Sequence, residues 1–340
     1  MQRGAEPGLR EFLTSRSGRE LQDVLLAPVL QAEALSIDYL LVAQRWWGSG
    51  QEIEGSTYDC LAMTAFYAAR TERIRLVTAV HPGFFLPAPV AKWGATIDAL
   101  SGGRWAVNVT SGWNLAEFPM YGAALPEHDE RYARSAEFIQ ILREAWAHDE
   151  FSFAGRFYQV DALRLEPRPL EPELEVFQGG QSDAAIAMAG RHSDWMFLNG
   201  GPPEKVGPIM ERARKAAAEH GRALRFALYA IPLCRPTDAE ANAEIARMID
   251  GLDPAMVEKR VKAVRGAQGM WSEPASSIAM LDTNEGYASG LIGSPDTILA
   301  RIDELRGLGV DCLHLTLHDA LFNSQVLPVL QESSTERHQR

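Results

Sequence analysis

Seven short apolar runs, each followed by a stretch with helical periodicity, constrain this chain more than any other feature. They are Asp38–Ala43, Ile74–Val80, Trp105–Thr110, Leu174–Gly179, Asp194–Leu198, Leu224–Leu233 and Val310–Leu317. Each is apolar at nearly every position, the pattern of parallel strands covered on both faces rather than of half-exposed antiparallel ones. Between them, Arg131–His148 carries Ser135, Phe138, Ile139, Leu142 and Trp146 on one helical stripe. Glu204–His220 stops at Gly221, and Ser294-Pro295-Asp296 reads as a capped helix start with proline in the first turn. Alternation of this kind means an α/β protein with a parallel sheet. At 340 residues, one (β/α)8 TIM barrel accommodates the whole chain as a single domain. The eighth strand has only Leu9–Ser15 to come from, so the N-terminal strand is divergent. Two insertions, 111–173 and 235–293, follow strands and are lid candidates, and the polar tail 332–340 is expected to be loose.

Several function classes lose their footing at once. There is no GxGxxG after the first strand, no GxxxxGK[ST], no GxSxG and no HExxH. The net charge of −12 argues against nucleic acid as the main partner. No apolar run has the length of a membrane span, and no signal peptide is visible. Cys60, Cys234 and Cys312 are too few and too far apart for a disulfide framework or a metal centre. Together these point to a reduced, cytoplasmic enzyme with no resident metal.

The residues that can carry chemistry follow strands. Phe177-Gln178-Gly179-Gly180-Gln181-Ser182-Asp183 is a strand, two glycines, a hydroxyl and a helix start. Glycine lets backbone approach a bound group, and the new helix offers free N–H donors to a phosphate; the same pattern also describes a turn that Ser182 simply caps. Asn108 interrupts an apolar strand, which is costly unless the amide is paired in the core or with a ligand. Glu127-His128-Asp129-Glu130-Arg131-Tyr132 opens a helix and offers Arg131 and Tyr132 to an anion, or is a solvated first turn favoured by the helix dipole. His81 and His318 stand at strand carboxyl ends, where a barrel keeps its acid/base groups. His314 lies inside its strand and reads as structural, as do Cys60 and Cys312. The Trp46-Trp47 pair either walls a pocket or packs under a lid.

Five blocks, ATIDALSGGRWAVNVTSGWNLAEF, HDERYARSAEFIQILREAW, FSFAGRFYQVD, VFQGGQSDAA and SDWMFLNGGPPE, in that order, resemble the bacterial-luciferase-like flavin monooxygenases. The likeness spans about Asp38 to Leu330. It is nearest the dimethyl sulfone monooxygenase branch, with alkanesulfonate and RutA-type pyrimidine monooxygenases as neighbours. The resemblance implies a TIM barrel that takes reduced FMN as a diffusible co-substrate with O2, a separate NAD(P)H:FMN reductase that supplies it, and a homodimer or homotetramer. By the same resemblance Asn108 and Glu117 contact the flavin, Arg131 and Tyr132 its ribityl-phosphate end, and Gly180 and Ser182 its phosphate. His318 matches a family histidine. Oxygen chemistry borne by a flavin needs no protein nucleophile, metal or nicotinamide fingerprint, which agrees with the motifs that are missing.

The resemblance further implies cleavage of a small organosulfur compound at a C–S bond. Two departures bear on the substrate. The arginine and histidine of the alkanesulfonate enzymes are replaced by Tyr229 and Ile231, which favours a neutral substrate. His81 stands where the sulfone branch has an apolar residue. Oxygenation of a C–N or heteroaromatic substrate, and a flavin-binding relative without catalysis, are the alternatives.

Overall fold

The computed structural model describes residues 16–46, 57–124, 126–255, 257–258, 261 and 277–338. The described chain divides into two compact units. One holds the residues up to Met196 together with Lys215–Leu224; the other holds Phe197–Arg214 and the chain from Arg225 onward. Leu9–Ser15, the segment expected to give the eighth strand, and Trp47 lie outside the described residues.

The first unit is built from α1 (Gly18–Ala34), β1 (Tyr39–Val42), α2 (Cys60–Ala68), β2 (Arg75–Val80), α3 (Pro87–Ser101) and β3 (Trp105–Val109). It continues with α4 (His128–Ala147), β4 (Phe151–Ala154), β5 (Gln159–Leu163), β6 (Val176–Gly179) and α5 (Asp183–His192). β1, β2, β3 and β6 pair in that order, all parallel, with Leu76 opposite Trp105 and Asn108 opposite Phe177. Every residue of β3 is buried, as the unbroken apolar run requires. Its Trp105 is fully buried against Gly94 of α3, where any side chain would collide with the indole. Trp146 of α4 meets the same indole edge-on at 5.9 Å and donates to the Ala91 carbonyl of α3 at 3.3 Å, so two helices close together on one strand.

The insertion 111–173 holds more than the expected helices. β4 and β5 form an antiparallel hairpin, a period-two pattern that the surrounding charge hides. The hairpin turn is tied to α4: the Glu137 carboxylate accepts the backbone N–H groups of Arg156, Phe157 and Tyr158 at 2.8, 2.9 and 3.2 Å. The Tyr158 hydroxyl donates to the Pro82 carbonyl at 2.8 Å, which fixes the hairpin to the segment after β2.

In the second unit, β8 (Arg225–Ala230) pairs in parallel with β11 (Cys312–Leu315). Between them lie β9 (Leu233–Cys234), α7 (Asp238–Asp250), β10 (Ile292–Gly293) and α8 (Pro295–Leu308). α8 starts as its sequence dictates, with the Ser294 hydroxyl accepting from the Thr297 N–H and Pro295 in the first turn. β9, at the end of the expected run Leu224–Leu233, and β10, at the end of the 235–293 insertion where the sequence shows no strand, form a two-residue parallel bridge. β7 (Trp195–Leu198) and α6 (Pro203–Ala218) each run from one unit into the other. The last helix, α9 (Leu327–His338), continues into the tail expected to be loose.

All seven strands expected from the sequence are present, in a parallel α/β arrangement. The closed barrel is not: among the described residues β1 has a neighbour on one side only, β2, and β11 likewise has only β8. A ring needs both edges paired. Among the described residues no helix is long and apolar enough to cross a membrane.

Candidate active site

Of the eight site residues read from the sequence, seven lie in the first unit, and the structure sorts them into two groups. The first group forms where β6 passes into α5. Gly180 has φ of 122°, a conformation that only glycine adopts easily. A Cβ there would run into the Tyr132 hydroxyl and lie 2.9 Å from the Ala185 Cβ. Ser182 caps α5, its Oγ accepting from the Ala185 N–H at 3.3 Å, and the Ser182 and Tyr132 hydroxyls hydrogen-bond to each other. Burial pushes the Tyr132 phenol up, so it stays a neutral donor. Arg131, one residue back on α4, is buried with its Nε unpartnered. Gln178, which sequence reasoning passed over, fastens the turn from behind. Its amide donates to the Ala185 carbonyl at 2.7 Å and accepts from the Ser193 hydroxyl at 3.2 Å.

Ser182 is thus a helix cap, as one reading of the Gly-Gly-x-Ser turn expects, and it also stands beside Tyr132, Gly180 and the start of α5. Asn108 of β3 is buried, its Nδ2 only 3.4 Å from the Thr110 hydroxyl and its Oδ1 without a partner among the described residues. A buried amide oxygen left unpaired costs about 1–3 kcal/mol, a cost that a ligand N–H removes. Glu117 is buried and accepts the Trp46 backbone N–H at 3.0 Å, so one of its oxygens holds the loop after β1.

The second group surrounds His81, at the carboxyl end of β2. Its ring stacks on Phe84 at 5.7 Å and meets Trp46 at 6.5 Å. Trp46 in turn packs on Phe84 at 4.5 Å, Phe85 at 5.6 Å and Tyr121 at 4.9 Å. Phe118 closes on Phe84 at 5.1 Å. Gly112, at φ of 92°, lets Phe118 sit where a Cβ would be. The His81 Nδ1 is buried without a partner. Burial, and then the charges of Arg45 and Arg134, lower its pKa to about 3, so the imidazole is neutral at working pH. It therefore carries no proton to give as a cation.

His318 lies in the second unit, exposed just after β11. His314 is held in its strand between Phe197 at 5.6 Å and Tyr229 at 5.0 Å, and burial lowers its pKa to about 4. Cys60 is fully buried with its thiol pushed up to about 12, which leaves it inert; Cys312 is only half-buried.

The profile of the luciferase-like monooxygenases matches residues 15–312. The chain belongs to this family. Among its relatives, an FMNH(2)-dependent dimethylsulfone monooxygenase of Pseudomonas putida is 37% identical over 320 residues, covering 90% of this chain and 87% of that protein. The pyrimidine monooxygenase RutA of Acinetobacter baylyi is 28% identical, covering 89% and 86%. Among solved structures, an EDTA monooxygenase from Chelativorans sp. BNC1 aligns with a TM-score of 0.74 at 25% identity over 91% of this chain and 86% of its own. A riboflavin lyase shares the fold with a TM-score of 0.77 at 20% identity, covering 92% and 85%.

Against that family background, two features of this luciferase-like monooxygenase are invisible in single motifs. Arg134 sits three residues beyond Arg131, one helical turn on along the same face of α4, and lies 6.0 Å from the Phe118 ring centre. The rings about Trp46 come from two other segments, His81–Phe85 and Phe118–Tyr121, so no single local spacing gives the whole shell.

Proposed function

We propose that the chain is an FMNH2-dependent monooxygenase that oxygenates a small organosulfur compound and cleaves a C–S bond. A separate NAD(P)H:FMN reductase supplies the reduced flavin. The observation that carries this reading is the turn after β6, where Gly180 is kept free of a side chain directly over the Tyr132–Ser182 pair. That arrangement fits a phosphate: two hydroxyl groups, the Arg131 guanidinium and the positive N-terminal end of a ten-residue helix are available to it. The 37% identity to a dimethylsulfone monooxygenase over most of both chains supports the substrate class.

Reduced FMN, when bound, supplies the two electrons that activate O2. The protein holds the phosphate end through Arg131, Tyr132, Gly180 and Ser182. Asn108 offers its free amide oxygen to a ring N–H, and Glu117 positions the Trp46 loop. The aromatic shell of Trp46, Phe84, Phe118 and Tyr121 keeps water from the reacting centre. His81, neutral within that shell, orients substrate by a hydrogen bond. For a methyl sulfone the conversion balances as sulfone, O2 and FMNH2 going to sulfinate, aldehyde, FMN and water. Completion of the barrel by the N-terminal segment, assembly as a dimer or tetramer, and a role for His318 belong to the same proposal.

The test is to combine purified protein with an FMN reductase, NADH and O2, and to offer a panel of sulfones, sulfonates and pyrimidines. FMNH2-dependent release of an aldehyde from a sulfur compound is the expected result. Turnover of a pyrimidine alone would move the reaction to C–N chemistry, and failure to bind reduced FMN would overturn the proposal.

A further inference from the structure

His81 and Arg134 approach one aromatic shell from two different elements, and neither spends its polarity on the protein. Arg134 has Nε and Nη2 buried with no acceptor among the described residues. It lies over Phe118, and its Nη2 falls 2.9 Å from where a Gly83 Cβ would stand, next to the segment that His81 begins. The His81 Nδ1 is buried beside Gly112, with no partner among the described residues. A structural arginine in the same unit behaves otherwise. Arg104 donates to the Ser101, Ile74, Ala68 and Thr71 carbonyls and to the Thr71 hydroxyl, leaving no N–H unused.

Buried N–H groups without acceptors are retained when something else accepts from them. The groups that act electrostatically on His81 are both cationic, Arg45 and Arg134. In a chain of net charge −12 this local excess of positive charge is a property of the site and not of the surface at large. An accepting, negatively charged partner matches it, and the rings of Trp46, Phe84 and Phe118 match an apolar body attached to that partner.

We propose that Arg134 and His81 form a subsite for an oxyanion head group, a sulfinate, sulfonate or carboxylate, carried by an apolar substrate. The guanidinium supplies the charge and two N–H donors; the neutral imidazole adds a further hydrogen bond. The proposal rests on the oxygenase reading above and names its substrate class. It replaces the neutral substrate that Tyr229 and Ile231 suggest, because the missing cation comes from α4 instead of from β8.

The experiment titrates the flavin-free protein with benzenesulfinate, benzoate and the neutral methyl phenyl sulfone, read by calorimetry and by tryptophan fluorescence. At least one anion is expected to bind about tenfold or more tightly than the sulfone. Benzenesulfinate ahead of benzoate identifies a sulfur acid as the head group, and the reverse order a carboxylate. Arg134→Gln should cost the anion about tenfold while sulfone and FMN affinities, titrated separately, move by less than about threefold. Arg134→Lys, which keeps the charge and loses the fork, should retain part of the preference and serves if the glutamine variant does not fold. Equal affinities for anion and sulfone, no saturable binding of either anion, or a loss in Arg134→Gln that falls on FMN instead would overturn the subsite. Because no flavin is present in the anion titrations, failure of FMN binding leaves this outcome separate.

Discussion

The turn after β6 and the shell around His81 lie in the same unit, yet they handle polar groups in opposite ways. In the turn, Tyr132 and Ser182 bond to each other, Ser182 caps α5, Gln178 bonds to the Ala185 carbonyl and the Ser193 hydroxyl, and a positive-φ glycine lies over the pair. In the shell, His81 and Arg134 are surrounded by rings and left with unused nitrogens. On the proposed reading, the first is a prearranged receptor for a phosphate that never changes. The second is a water-poor space whose polar atoms are settled only by whatever enters it. A cofactor can be held by a rigid hydrogen-bonded motif, whereas a substrate has to be selected by what it leaves satisfied.

That contrast can be broken by mutation, and the largest effect should come from Gly180. Gly180→Val places a branched side chain at φ of 122° against Tyr132 and Ala185, at a cost of about 2–5 kcal/mol from backbone strain and overpacking together. Urea unfolding should show that loss, and FMN titration should show no saturable binding. The neighbouring Gly179→Ala meets nothing within 4 Å and should stay within about 0.5 kcal/mol of the parent; equal damage at both positions would mean that the turn is fragile as a whole.

Ser182→Ala comes next. It removes one hydroxyl from the turn and should weaken FMNH2 binding by about 1–3 kcal/mol, measured by anaerobic fluorescence titration, and an unchanged dissociation constant would remove the cradle. For the shell the corresponding test is pH. His81 titrates at about 3 in the fold against 6.5 ordinarily, so in that window the unfolded chain binds the extra proton and acid destabilises the native state. Between pH 7 and 5 this one histidine should remove roughly 2 kcal/mol. His192 and His314, each lowered to about 4, act in the same direction. Melting temperatures should therefore fall on acidification, and less steeply in His81→Phe; parallel slopes for parent and variant would place the imidazole in water.

How much of this was legible in the sequence follows from how each part is built. The seven strands were readable because burial on both faces writes itself as an unbroken apolar run, as in Trp105–Val109. The start of α8 and the turn at Ser182 were readable because capping is local chemistry confined to a few neighbouring residues. The β4–β5 hairpin was missed because its alternation is carried by half-exposed residues among charges. The β9–β10 bridge was missed because two residues have no period. The shell was legible only in fragments. His81 was noticed as the end of a strand, but Trp46, Phe118 and Arg134 reach it from three other segments. No spacing rule links positions that only tertiary structure brings together. Leu9–Ser15, the segment assigned to barrel closure, lies outside the described residues.

The close approach of Gly180 and Tyr132 also has a consequence over evolutionary time. Any residue larger than glycine at the first position collides with the phenol at the second, so the two cannot drift independently, although a strand, a hairpin and most of a helix separate them in the chain. A lineage that loses the tyrosine removes one obstacle to a side chain at the turn, the Ala185 Cβ and the positive φ remaining, and once that space is filled the path back is shut until it is emptied again. The pair is thus inherited as a single character, and a descendant adapting to a differently shaped cofactor has to change Tyr132 before it changes Gly180.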